Sequence, residues 1–355
     1  MNNMKKVINK KPILIYLFLV LCLFGLAIYY LFNDSFITTS EIIKVTTTED
    51  NTQAIKQKPS DKKYPPVDVD MKLVKVGEHS WYVQGKAGIA TDNAGFISNA
   101  GVVITDAGVV IFDGLGSPSL AYKLVQKIKK ITDQPIVKVI VSHYHADHIY
   151  GLQVFKELGA EIIAPDGVYE YIDSEGAKSR LEERQLSLDP WVNEDTVIVI
   201  PDRIIDKSET FSLGGIDFTI SVIGNAHSDG DMTLYVENDR VLYTGDLIFE
   251  GRIPFLGSNN TKHWLATLEK MEQQKPHALV PGHGPATHDP KAIKLTRKYL
   301  AFIRAEMAVA VEEMIDFDEA YKAVDWSDYE KFPAFDEINR KNVFQVYLSL
   351  EAEGL

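Results

Sequence analysis

Apolar positions along this chain change their spacing in a regular succession, and the succession predicts the elements. In "KLVKVGEHSWYVQG" and "AGFISNAGVVITDAGVVIFDG", residues 72–85 and 94–114, β-branched residues alternate around turn formers, which predicts strands with a hairpin at "TDAG". The period then lengthens. Leu120, Leu124, Val125, Ile128 and Ile131 recur at helical spacing behind Ser117 as N-cap and Pro118 at the first helical position, predicting an amphipathic helix against one face of a sheet. "PIVKVIVS" is the next strand, and a further helix is expected from near Ile149. After "AEIIAP", the charge-rich "GVYEYIDSEGAKSRLEERQLSL" predicts a helical insertion over one side of the core, read here as a lid. Its Tyr169 and Tyr171 either line a cleft or pack beneath the helix. A second series of strands follows in "RIID", "ETFSLGGIDFTISVIG" and "MTLYVENDRVLYTGD", with hairpin signals at "LGG" and "END". A helix over 261–274, the strand "HALVPG" and helices from about 290 complete the pattern. Strands then helix, repeated, imply an α/β fold of two similar halves with sheets inside and helices outside. The folded body is assigned to residues 71–315, followed by a helical extension over 316–355.

The N-terminus departs from this rhythm. "KPILIYLFLVLCLFGLAIYYLF" carries no charge after Lys11, and about 20 apolar residues is the span that crosses a bilayer as a helix. Lys5, Lys6, Lys10 and Lys11 precede it, and Asp34, Glu41, Glu49 and Asp50 follow. That asymmetry places residues 1–12 in the cytoplasm, a single-pass inner-membrane anchor at 13–32, and the body outside the cytoplasm. "GLA" at 25–27 has the pattern of a cleavage site, but the "IYYLF" immediately after it favours an uncleaved anchor. Residues 33–70 are polar and lack apolar periodicity, the composition of a tether. Cys22 is the chain's single cysteine, so there is no intrachain disulfide and no thiolate for a metal in the body. With 355 residues, 45% of them apolar, the chain can bury a large core, and its net charge of −13 argues against nucleic acid as a partner. Small-molecule chemistry is the expectation that remains.

The candidate chemistry lies in "SHYHADHIYG", residues 142–151, directly after a predicted strand. In an extended segment His143 and His145 point to one side, and a turn at Ala146 brings Asp147 and His148 to a neighbouring position. Such a run can begin two adjacent metal sites, one fed by nitrogen and one by nitrogen and oxygen. Further donors stand at later strand ends beside glycines: His227 in "GNAHSDGD", Asp246 in "LYTGDLIF" and His283 in "PGHGPA". Five of the nine histidines are used in this way; His79, His263, His277 and His288 receive no role. Satisfied loop histidines are the bland alternative for any one of these residues, and an ordered set of seven donors argues against it. Asp113, ending "VVIFDG", either orients a ligand from behind or is an ordinary turn residue.

At this point the chain resembles the metallo-β-lactamase fold superfamily, whose H-x-H-x-D-H signature is matched by His143, His145, Asp147 and His148, with His227, Asp246 and His283 following in order between about residues 72 and 300. The resemblance implies an αββα sandwich in which His143, His145 and His227 hold a first metal and Asp147, His148 and His283 a second, bridged by Asp246. It implies two Zn2+ per chain, with iron or manganese suited to the more oxygen-rich second position. Two cations sharing a water pull its pKa from ~15.7 toward neutrality, for attack on the ester, amide, thioester, lactone or β-lactam carbonyl of a small substrate, with Asp147 as a proton carrier. The wording "DNAGFISNAGVVITDAG", "TGDLIFEGRIPFLGS" and "PGHGPA" is similar to SoxH-type zinc metallohydrolases, which implies work beside a periplasmic quinoprotein system. Asp246 stands where the commonest lactamase classes place cysteine, and Phe249 where they offer a lysine; the aspartate is more like thioester hydrolases and lactonases. The alternatives on the same fold are an oxidoreductase with one or two irons and a non-catalytic accessory protein.

Overall fold

The computed structural model describes residues 63–257, 260–289 and 291–354. Two sheets face each other. The first runs in spatial order β1 (Leu73–Lys75), β2 (Ser80–Val83), β3 (Ala100–Thr105), β4 (Gly108–Phe112), β5 (Ile136–Ile140), β6 (Glu161–Pro165) and β7 (Arg203–Ile205). It is antiparallel from β1 to β4 and parallel from β4 to β7. The second holds β8 (Glu209–Leu213), β9 (Ile216–Gly224), β10 (Asp231–Val236), β11 (Val241–Tyr243) and β12 (Ala278–Val280), with β12 lying parallel to β11 at its edge.

Helices cover both outer faces. Over the first sheet lie α1 (Pro118–Ile128), α2 (Ala146–Ile149), α3 (Leu152–Glu157), α4 (Val168–Ile172) and α5 (Glu175–Ser187); over the second lie α6 (Thr261–Met271), α7 (Lys291–Glu312), α8 (Phe317–Ala323) and α9 (Phe335–Glu353). The strand "GVVIF" shows why four layers follow from sequence. Val109 and Ile111 enter the core under α1, whereas Val110 and Phe112 enter the core between the sheets. A strand buried on both faces must be apolar throughout, and this one is.

α1 starts as its sequence predicts, with Ser117 Oγ accepting from the Leu120 N–H at 3.2 Å and Pro118 in the first turn. It ends at Ile128, so Ile131, expected on its apolar face, lies beyond the helix and is 48% exposed. The helix expected from Ile149 is two pieces, the single turn α2 and then α3, because the chain must turn back through the donor run before it can pack. Residues 94–98, expected in a strand, follow a short 3-10 turn at Ala90–Asn93 instead. The packed body also begins before Met71: Tyr64, Val67 and Val69 are buried in the core of the first helical layer. The C-terminal segment completes the second layer, with Val343, Val346 and Leu350 of α9 in one core with Leu300, Ile303 and Met307 of α7.

Residues 13–32, Cys22 and the tether up to residue 62 lie outside the described residues. Among the described residues no helix is long and apolar enough to cross a membrane.

Candidate metal centre

The ends of the strands deliver the donors. β4 and β5 are parallel neighbours, so Asp113 after one and Ser142–His143 after the other emerge side by side, in the crevice that open α/β sheets offer at their carboxyl ends. His145 is extended as the residue before α2, and Asp147 and His148 sit within that turn. From the second sheet, the loop between β9 and β10 brings His227, a 3-10 turn at Gly245–Leu247 after β11 brings Asp246, and the chain after β12 brings His283. Asp231 fixes the first of these loops, its Oδ2 accepting the backbone N–H groups of Ala226, His227 and Ser228 at 3.1, 2.7 and 3.0 Å. Glycine is required at 282, where a Cβ would lie 2.0 Å from Asp246 Oδ1.

All seven sequence-predicted donors come together, and they do so in two groups. His145 Nδ1 lies 3.0 Å from both His143 Nε2 and His227 Nε2. Asp147 Oδ2 lies 3.6 Å from His148 Nε2 and 3.2 Å from His283 Nε2. The Asp246 carboxylate stands between them. Its Oδ2 is 3.5 Å from His227 Nε2 and 3.3 Å from His283 Nε2, and its Oδ1 is 3.1 Å from His148 Nε2. His143, His148, His227, His283 and Asp246 are buried, while His145 and Asp147 are partly open to solvent and mark the mouth.

Groups behind the donors decide which nitrogen faces inward. Asp113 Oδ2 accepts from His148 Nδ1 at 2.9 Å and from Ser142 Oγ at 2.8 Å, and Asp113 Oδ1 accepts the Ser142 N–H at 2.7 Å. With its proton on Asp113, the Ser142 hydroxyl accepts from His143 Nδ1 at 2.9 Å. One buried carboxylate thus turns Nε2 of both histidines toward the centre, which resolves the two readings of Asp113 in favour of ligand orientation. His283 Nδ1 donates to the Ile97 carbonyl at 2.8 Å with the same effect.

Burial pushes His143 well below the ordinary histidine pKa, lowers His145, and brings His227 down to about 3. Burial acts the same way on His148 and His283, but the carboxylates beside them, Asp246 foremost, overcome it and raise both. Against the burial that opposes their charge, His148 and His283 hold Asp147 and Asp246 below the usual carboxylate range.

The donor set fits a divalent metal pair. His148 Nε2 and Asp246 Oδ1 face each other at 3.1 Å, both buried and without a hydrogen-bond partner. With His148 neutral and its Nδ1 proton on Asp113, two lone pairs would meet there, and a cation held by both atoms would satisfy them. Three imidazoles converge on one side of Asp246 and two imidazoles with a carboxylate on the other, which is the separation into nitrogen-rich and mixed sites that the sequence predicts.

Other residues around the centre had little or no sequence signal. Asn99 donates to the carbonyls of Pro281 and Gly284, both at 2.8 Å, and so shapes the loop that carries His283. Arg252 is buried, with Nη1 3.0 Å from the Gly88 carbonyl and 3.4 Å from His283 Nδ1. Phe249 is fully buried and stacks on His283 at 5.1 Å, so it walls the centre instead of facing a substrate. Trp264 packs edge-on to His227 at 5.2 Å. Tyr169 is 71% exposed on the surface, whereas Tyr171 packs against the first core. Ser142 adjoins the motif and was legible as polar, but nothing in the sequence marks Asn99 or Arg252.

A helix–sheet–sheet–helix sandwich with a two-part histidine and aspartate cluster at its strand ends is the arrangement of an α/β protein built around a metal centre. The pattern of the Metallo-beta-lactamase superfamily matches residues 93–283, more than half of the sequence, and the chain belongs to that superfamily. A metallo-beta-lactamase of Chryseobacterium indologenes is 23% identical over 165 residues, covering 45% of this chain and 60% of that protein. An acyl-coenzyme A thioesterase of Gallus gallus is 25% identical over 154 residues, covering 41% and 55%. A linear primary-alkylsulfatase of a Pseudomonas species is 23% identical over 239 residues, covering 57% and 45%. The matches thus span about half to three-fifths of these relatives' lengths. Among solved structures, a metallo-beta-lactamase from Pontibacter korlensis aligns with a TM-score of 0.51 at 20% identity, over 65% of this chain and 99% of its own. The inverting sec-alkylsulfatase Pisa1 from Pseudomonas aligns with a TM-score of 0.60 at 18% identity, over 79% of this chain and 50% of its own. At these identities the structural likeness concerns the fold.

Proposed function

We propose that the protein is a binuclear zinc hydrolase that cleaves the carbonyl of a small ester, thioester or lactone, with β-lactams as poorer substrates. The observation that carries this is the position of Asp246, whose carboxylate lies within 3.5 Å of His227 on one side and 3.3 Å of His283 on the other. Zinc held by the two donor groups would supply acidified water and the charge that polarises the carbonyl. The chain's own contribution is alignment and proton handling. Asp113 and Ser142 hold two histidines in the tautomer that offers Nε2, and the Phe249 and Trp264 rings keep one wall of the centre apolar. Asp147, with 20% of its side chain exposed, is the carboxylate at the mouth and serves as proton carrier to the leaving group. Iron or manganese is the alternative occupant of the mixed site.

Elemental analysis of purified protein, metal-reconstituted and desalted, should give two zinc per chain. Thiol or phenol release from chromogenic thioesters and esters, and acid production from lactones followed with a pH indicator, should disappear on chelation and return with zinc. One iron per chain, with oxygen consumption and no hydrolysis, would mark the oxidoreductase alternative. A chain that binds metal and turns over nothing would mark the accessory role.

A second reading, sulfate-ester hydrolysis, is favoured by one observation: the sequence match to the linear primary-alkylsulfatase takes in more of this chain than the lactamase match does, 57% against 45%. Inorganic sulfate released from a linear alkyl sulfate separates it from carbonyl hydrolysis. The wording around the donor motifs supports a SoxH-type assignment beside a periplasmic quinoprotein system, and the apolar run at 13–32 supports a single-pass anchor holding the centre outside the cytoplasm. A reporter fused after Leu355 that is active only outside the cytoplasm tests that orientation.

A further inference from the structure

The mouth of the centre has a wall that comes from the C-terminal helix. After the turn that carries Asp246, residues 253–257 run past His145: the Phe255 ring meets the His145 ring edge-on at 6.0 Å, and Gly257 fits so closely that a Cβ there would lie 3.1 Å from His145 Cε1. A side chain of α9 ties this segment down by bonding to its backbone. Buried Asn342 donates to the Pro254 carbonyl at 2.7 Å and accepts the Leu256 N–H at 2.9 Å, and its amide also donates to the Tyr299 hydroxyl at 3.1 Å. The residue before it, Lys341, is exposed and holds its ammonium 5.7 Å from the centre of the Phe255 ring. Among the described residues Lys341 makes no ion pair; Glu337, one turn earlier on the same helix, does not close on it.

His145 is the histidine of the first donor group that reaches solvent, and Phe255 beside it is also partly open. A ligand whose reacting carbonyl sits at the donors therefore passes an aromatic surface and then meets an ammonium, no further from His145 than the two contact distances together. In a chain of net charge −13, a cation without an acidic partner beside the mouth is a selective feature, since it offsets the field that would otherwise repel an anion. The contact with the ring and the Asn342 anchor set the position from which that charge acts.

We propose that Lys341 is a specificity-determining residue that binds a carboxylate of the substrate, several bonds from the scissile carbonyl, so that the enzyme prefers acyl compounds bearing a second, anionic end. This rests on the hydrolase reading above. The test uses the zinc-loaded full chain with two esters of five-carbon acyl chains, 4-nitrophenyl hydrogen glutarate and neutral 4-nitrophenyl pentanoate, and glutarate itself as a binding probe in titration calorimetry. Lys341→Glu should lower the ratio of kcat/KM for the anionic ester over the neutral one by about 5- to 10-fold, through KM, and raise the glutarate Kd similarly. Lys341→Arg should restore both. An unchanged ratio, or a glutarate Kd indifferent to Lys341→Glu, overturns the inference and leaves the hydrolase reading standing. If the unmodified protein hydrolyses neither ester yet Lys341→Glu weakens glutarate and Lys341→Arg restores it, the anion site stands and the hydrolase reading falls.

Discussion

Replacing Asp113 by Asn keeps the shape of the side chain and changes only its stock of acceptor oxygens. The backbone should accept the change, because Asp113 sits at φ 69° and asparagine tolerates the left-handed region well. The hydrogen bonds should not. Asp113 accepts three of them, from the Ser142 N–H, the Ser142 hydroxyl and His148 Nδ1, at 2.7, 2.8 and 2.9 Å. An amide has one oxygen, and its NH2 group must point either at the Ser142 N–H, donor against donor, or at His148. In the second case it donates to Nδ1 and moves the imidazole proton to Nε2, the atom that has to face the centre. Recovering the competent tautomer then forfeits a hydrogen bond to a charged group, about 1.5–3 kcal/mol, which corresponds to roughly 10- to 100-fold in metal affinity. The loss should fall mainly on the group of Asp147, His148 and His283. His143 is reached only through the Ser142 hydroxyl, so the group of His143, His145 and His227 should weaken less. Zinc titration in competition with a chromophoric chelator resolves the two affinities. If Asp113→Asn leaves the weaker of them within about twofold of the unmodified protein, the orienting role assigned to Asp113 is wrong.

If the protein binds two zinc as proposed, Gly282→Ala should reduce them to one or none with the far-ultraviolet circular dichroism unchanged, since the added methyl collides with Asp246 Oδ1 and turns that carboxylate away from the donor histidines; two tightly held equivalents in the variant would refute this. Asn342→Leu strips partners from a buried carbonyl and a buried N–H, each worth about 1–3 kcal/mol, and urea unfolding should show a loss of about 2–6 kcal/mol. Metal loading should also depend on pH unequally. His148 and His283, raised by the carboxylates beside them, must release protons to bind a cation, whereas His143, His145 and His227 are lowered and already neutral near pH 7. Lowering the pH from about 8 to 6 should therefore weaken the mixed group more steeply than the three-histidine group, and equal slopes in chelator competition at the two pH values would contradict that assignment.

The donors were legible because each lies at a strand end in a short segment of unusual chemistry, and a ligand's chemical type survives in one-dimensional sequence. The elements that hold them were legible where apolar period and capping coincide, as at Ser117–Pro118. What escaped was long-range polar bracing. Asn342 grips Pro254 across 88 positions and Asn99 grips Gly284 across 185, and an isolated asparagine on a helix or beside a strand has no periodicity to betray its partner. The C-terminal segment read as an extension for the same reason: its apolar residues show a helix, but only packing shows that α9 closes the second core. Tyr64, Val67 and Val69 were similarly hidden, because three apolar residues among prolines and charges look like linker until their burial is seen.

Each donor group draws from both halves of the sandwich. His143 and His145 come from the first sheet and His227 from the second; Asp147 and His148 come from the first and His283 from the second. A cation in either position would consequently be a rivet through the seam between two sheets that are also joined by the apolar layer around Val110, Phe112, Phe218 and Leu234 and by polar links such as those of Asn99 to Pro281 and Gly284. Sliding one half against the other by a fraction of an ångström would spoil both coordination shells at once, so the centre registers the alignment of the halves as sharply as it registers its own ligands. Substitutions in that layer, far from any donor, should reach catalysis by this route.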